Sequence, residues 1–168
     1  SLYPVLAKLE DAKFTGVPWG TDWSLPVEDL IATKADAIYL ANPNAPSGTF
    51  VPPQQIAELA SKFDGLLLVD EAYVDFAESN CLELVKEFSN LVVSRTFSKA
   101  YSLAGMRFGY AVAQEEVIEE MMKVKDSYNC DALSIAGATA ALADQTWLRE
   151  NRAKVVATRS RLVAAMRE

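Results

Sequence analysis

Residues 65–73 read Gly65-Leu66-Leu67-Leu68-Val69-Asp70-Glu71-Ala72-Tyr73, and the fold turns on how they are assigned. The apolar run is too short for a helix and ends on two acids, which predicts a strand covered on both faces. Upstream, Pro53 to Phe63 places Ile56, Leu59, Ala60 and Phe63 at i, i+3, i+4 and i+7, one face of a helix opened by proline. Before that helix, Ala37 to Ala41 reads as another strand. Downstream, Cys81 to Phe88 predicts a short helix, and Leu91 to Ser94 and Phe108 to Val112 predict two further strands. This strand–helix rhythm implies an α/β fold, a mostly parallel sheet with flanking helices on both faces.

The last third is helical in pattern. Glu115 to Tyr128 puts Val117, Met121, Val124 and Tyr128 on one face, and Leu133 to Ala143 is rich in small residues. Trp147 to Met166 carries Leu148, Val155 and Leu162 at every seventh position among arginines, which read as a solvated face rather than a binding patch. The chain opens on a helix-like Leu2 to Leu6 and ends inside a helical pattern without a glycine cap or proline stop. The expectation is the central part of a longer chain.

Of the 168 residues, 51% are hydrophobic and 23% charged, a globular balance. No apolar run approaches the roughly 20 residues that span a bilayer, and Ser1 is not followed by a secretory pattern. Two cysteines far apart, Cys81 and Cys130, make no disulfide framework and point to a reducing, cytoplasmic setting. Histidine is absent, which removes Ser-His-Asp and Cys-His triads and nearly all zinc sites, so no metal is expected. Acidic residues outnumber basic ones, 23 to 16, and the net charge of −7 argues against nucleic acid as a partner. No membrane partner is expected either.

Ligands of open parallel sheets bind beyond the carboxyl ends of the strands. Three polar clusters fall at such ends: Asn42-Pro43-Asn44-Ala45-Pro46-Ser47-Gly48, Asp70-Glu71-Ala72-Tyr73, and Arg95-Thr96-Phe97-Ser98-Lys99. Singly, each has an ordinary explanation as a turn, a helix cap or a solvated lysine. Together at one edge they favour a site. A Schiff-base lysine needs a lowered pKa, which neighbouring cations supply, and Arg95 and Arg107 are near Lys99 in sequence. An acid at a strand end needs a cationic partner, and a pyridinium nitrogen is one. The seven glycines form neither a dinucleotide-binding nor a Walker loop.

These blocks, with Ser94 to Tyr110 as the most specific of them, resemble the fold-type I pyridoxal-phosphate aminotransferases, and among those most closely the histidinol-phosphate type. The resemblance implies pyridoxal 5'-phosphate as cofactor. It makes Lys99 the lysine that holds the cofactor and moves the proton, Asp70 the partner of the ring nitrogen, and Tyr73 the donor to the phenolic oxygen. It gives the phosphate to Thr96 and Arg107. Most relatives have asparagine where this chain has Ala45. Either Asn44 reaches the ring from one position earlier, or Tyr73 makes that contact alone.

The resemblance further implies residues 1–145 as a large cofactor-binding domain lacking its N-terminal part, and residues 146–168 as a long helix leading toward a small C-terminal domain. The missing parts would supply a phosphate loop, a ring-stacking aromatic and a substrate-carboxylate arginine. The implied reaction is transamination between an L-amino compound, best matched by L-histidinol phosphate, and 2-oxoglutarate, in histidine biosynthesis. A homodimer is implied, and residues 1–168 alone are expected to be inactive. Two alternatives stand beside this: a decarboxylase of the threonine-phosphate type, and a cofactor-free segment that only folds and associates.

Overall fold

The computed structural model describes residues 2–167. Four strands, β1 (Ala37–Ala41), β2 (Leu66–Asp70), β3 (Leu91–Thr96) and β4 (Gly109–Val112), lie side by side in chain order. The β1–β2 and β2–β3 pairs are parallel and the β3–β4 pair is antiparallel. A parallel neighbour requires a crossover, and α3 (Pro53–Lys62) supplies the one between β1 and β2. The apolar stripe read from sequence is the face that α3 buries: Ile56, Leu59 and Ala60 are all buried. The second connection is tighter than an α-helix. The helix expected over Cys81–Phe88 is a 3-10 helix at Leu82–Lys86, which buries only Val85.

Alternation along the strands gives the sheet two unlike faces. Ile38 and Leu40, Leu67 and Val69, and Leu91 and Val93 form one buried face, packed with α3. The other face carries Tyr39, half-covered Leu66 and Leu68, and then polar Asp70, Ser94 and Thr96. The second strand is therefore fully buried on one face and only partly on the other. That partly open face is where the polar residues gather.

Asn42 closes the core at the end of β1. It is 1% exposed; its Nδ2 donates to Val51 O at 2.9 Å, and its Oδ1 accepts from Val51 N at 2.8 Å. Its own N–H continues the ladder to Asp70 O at 2.9 Å. The side chain thus ties the loop after β1 back on itself while its backbone stays in register with β2. Asn42→Ala strands two buried backbone groups, each worth about 1–3 kcal/mol. A lower urea midpoint at unchanged m-value in the whole protein is the expected result.

Helices α1 (Tyr3–Leu9) and α2 (Val27–Ala32) precede β1, and α4 (Glu115–Val124), α5 (Ala132–Ala143) and α6 (Gln145–Ala165) follow β4. On α4 the expected apolar face is only partly covered by the described residues: Val117 is half-buried, but Met121 is 42% and Val124 87% exposed, and Tyr128 falls beyond the helix end. Periodicity reports which side chains share a face, not what covers them. Asp131 caps α5 by accepting from Leu133 N and Ser134 N. The α6 arginines are mostly solvated, although Arg152 Nη2 donates to Ala77 O at 2.8 Å and ties the helix to the turn after β2. No helix among the described residues is long and apolar enough to cross a membrane.

Candidate active site

The open face of the sheet ends on Asp70, whose register partner in β3 is Ser94. Asp70 Oδ1 accepts from Ala72 N at 3.0 Å, which fixes the carboxylate at the strand end. Its Oδ2 accepts from the Tyr3 hydroxyl at 2.8 Å. Burial, then the bond to Asp70, pushes the Tyr3 phenol well above its ordinary range. The Tyr3 ring packs on Tyr39 at 5.5 Å between centroids. An aromatic of α1 thus reaches the carboxylate at the end of β2, a contact the sequence did not announce. No local pattern marks Tyr3 for this, because the contact joins residues 67 positions apart.

Beyond β3, Phe97 anchors the loop that carries the next candidates. It is buried, and its ring meets those of Tyr101, Phe108 and Tyr110 at 4.6, 5.5 and 6.0 Å. Phe97 N donates to Phe108 O at 3.1 Å and Leu103 N to Phe97 O at 2.9 Å, so residues 98–107 form a loop closed at its base. At its base Thr96, Ser98 and Arg107 come together. Ser98 N donates to Thr96 Oγ1 at 3.1 Å, and Arg107 Nη1 reaches Ser98 Oγ at 3.5 Å and Ala104 O at 3.0 Å. Arg107 has φ 51°, the left-handed region. A guanidinium beside one hydroxyl, with a second hydroxyl linked through Ser98, is a donor set for a phosphate dianion.

Lys99 is exposed at this edge, with Nζ 5.1 Å from the centroid of the Tyr73 ring. Tyr73 follows β2 by three residues, so the contact links the second and third polar clusters. Asn44 is engaged within its own turn: its Nδ2 donates to Ser47 Oγ at 2.7 Å, and its backbone pairs with Thr49 and Gly48. A cavity of about 440 Å³ between α2 and α3, lined by Ser24, Glu28, Gln55 and Glu58 among others, shares no residue with this edge. Volume alone does not mark the site.

Arg95 departs from its expected part. As the β3 residue between Ser94 and Thr96, it points to the buried face, away from Asp70 and Thr96. There Nε and Nη2 donate to Glu71 Oε2 at 2.9 and 2.7 Å. Burial alone would lower its pKa, but the bonds to Glu71 outweigh this and the net shift is upward. An arginine neutralised by a carboxylate on the far face is not the cation that was expected beside Lys99. Glu71, which sequence reading left without a role, is 1% exposed, and its Oε1 accepts from Cys81 N at 2.6 Å. Burial first, then the neighbouring Glu71 charge, pushes the Cys81 thiol up to about 12, which leaves it protonated and unreactive at neutral pH.

Known proteins share both the sequence and the fold. The chain is 50% identical over 168 residues to histidinol-phosphate aminotransferase of Rhodopirellula baltica, a match covering 99% of this chain and 46% of that protein. It spans about half the length of the curated relatives it matches. Among solved structures, histidinol-phosphate aminotransferase from Sinorhizobium meliloti in complex with pyridoxal-5'-phosphate superposes with a TM-score of 0.87 at 31% identity, covering 95% of this chain and 46% of that one. L-threonine-O-3-phosphate decarboxylase from Porphyromonas gingivalis superposes at 0.78 with 24% identity, covering 87% and 45%, which shows a shared fold alone. The sequence model of the aminotransferase class I and II family matches residues 1–168 throughout, and the chain belongs to that family.

Proposed function

We propose that the protein of which residues 1–168 form a part is a pyridoxal-phosphate-dependent aminotransferase. In this reading it moves the amino group of L-histidinol phosphate to 2-oxoglutarate. The observation that carries it is the meeting of Asp70, the Lys99–Tyr73 contact and the Thr96–Ser98–Arg107 cluster at one edge of one sheet. The donor set fits the cofactor: hydroxyls and a guanidinium for phosphate, a carboxylate for a ring nitrogen, an amine for an aldehyde. Residues 1–145 are read as most of the cofactor-binding domain, and residues 146–168 as the helix leading out of it. A homodimer and a cytoplasmic setting belong to the same reading.

Pyridoxal phosphate, when bound, supplies an aldehyde that condenses with amines and a ring that accepts electrons. The chain's part is to hold and to move protons. Arg107, Ser98 and Thr96 would bind the phosphate oxygens. Asp70, held by Ala72 N, keeps a proton on the ring nitrogen. Tyr73 donates its hydroxyl hydrogen to the phenolic oxygen. The Asn44 amide is engaged with Ser47, which supports Tyr73 making that contact alone. Lys99 Nζ would hold the cofactor and, once freed by the incoming amine, act as the acid/base that takes the proton from the amino-bearing carbon of the substrate.

The test is to supply the whole protein with pyridoxal phosphate, histidinol phosphate and 2-oxoglutarate and to follow glutamate. Glutamate formation is the expected result. Carbon dioxide released from threonine phosphate, without glutamate, would replace the reading with decarboxylation, and silence with both substrates would leave the cofactor-free alternative. Residues 1–168 alone are expected to give no turnover, because positioning supplies roughly 7–11 kcal/mol of such a barrier.

A further inference from the structure

The buried face beneath the site carries a polar chain that no step above uses. Glu71 is fixed at three atoms. Its N–H donates to Ser94 O at 2.9 Å, Oε1 accepts from Cys81 N at 2.6 Å, and Oε2 accepts two nitrogens of Arg95 at 2.9 and 2.7 Å. The Glu71 side chain is 0% exposed and that of Arg95 17%. Such a pair is a poor source of stability, since desolvating two charges offsets most of their attraction. Its placement is more telling. Glu71 is the neighbour of Asp70 and Arg95 the neighbour of Thr96, and alternation puts the two pairs on opposite faces of the same strand ends. A two-nitrogen grip between residues 71 and 95 therefore sets the spacing of residues 70 and 96 on the open face.

Resting on the functional reading above, we propose that Glu71 and Arg95 are positioning residues: their buried ion pair holds the end of β2 against the end of β3, so that Asp70 and the Thr96–Lys99 segment face one cofactor in register. Neither side chain touches the cofactor. Arg95 is also the register partner of Tyr110 in β4. A brace of this kind acts through geometry, and sites lose function when their supports shift by about 0.5 Å.

The experiment titrates the cofactor-free whole protein with pyridoxal phosphate by absorbance, then follows the bound-cofactor absorption band against pH. Glu71→Gln keeps shape and removes the charge. It is expected to raise the apparent Kd roughly 10–100-fold, by analogy with the range seen when outer partners of metal ligands are lost, and to displace the pH midpoint of the band. Arg95→Lys keeps the charge but loses the fork, and should shift both readings in the same direction by less. A folded Glu71→Gln protein with a lowered Tm but with Kd within twofold of wild type and an unmoved midpoint would overturn the proposal, leaving only a structural brace. Should Glu71→Gln fail to fold, Arg95→Lys is judged by the same two readings. Wild-type protein that takes up no pyridoxal phosphate would instead overturn the functional reading, and this proposal with it.

Discussion

Lys99→Ala in the whole protein is expected to abolish transamination, with a loss of roughly 10⁴-fold or more. The side chain has two tasks in the proposed reaction, covalent attachment and proton transfer, and the second alone contributes about 10²–10⁴-fold. Its position makes substitution by a neighbour difficult. Lys99 sits in a loop closed by Phe97 and Leu103, with Nζ over the Tyr73 ring. The next lysines along the chain, Lys86 and Lys123, pair with Glu83 and Glu120 on exposed helical surfaces. Borohydride treatment of the loaded wild-type protein should fix one pyridoxyl group on the peptide containing Lys99. A label on any other lysine, or a variant that keeps wild-type turnover, would show the site to be misassigned.

Asp70→Asn is expected to lower kcat by about 10²–10³-fold. The substitution preserves shape and the capacity to accept from Ala72 N, but removes the charge that holds a proton on the ring nitrogen. Breaking a buried charge pair costs on the order of 3–5 kcal/mol. Asp70 is half-buried, so the lower end of that range applies, and 3 kcal/mol off a barrier is roughly 10²-fold. Asp70→Glu keeps the charge but lengthens the side chain into the space of the Tyr3 hydroxyl, and should be impaired through misplacement. The measurement is kcat for both variants, with cofactor content determined so that occupancy and turnover are separated. A near-wild-type Asp70→Asn protein would reduce Asp70 to an anchor for Ala72 N.

Much of the site was legible because its signals are local. Asp70, Tyr73, Thr96 and Lys99 lie in short polar blocks that follow apolar strands, and a strand is recognised within five or six residues; Arg107 entered only through the resemblance of the Ser94–Tyr110 block. Arg95 was read less well. Its nearness to Lys99 in sequence suggested a shared environment, whereas the alternation of β3 turns its side chain to the opposite face, onto Glu71. Glu71 itself was passed over because a second acid beside Asp70 has no distinguishing local pattern.

The sequence by itself determined the strand–helix order, the α3 face and the family, since side-chain period and contiguous motifs are properties of neighbouring residues. Only the tertiary structure decided which partners meet: Tyr3 with Asp70 across 67 positions, Glu71 with Arg95 across 24, and Asn42 with Val51 around the loop after β1. It also decided that β4 runs antiparallel and that the described residues cover the apolar side of α4 only in part. The reason is physical. A long-range contact depends on strand register and on which face each residue takes, and a shift of one residue exchanges the two faces. Local propensity and periodicity carry no record of either.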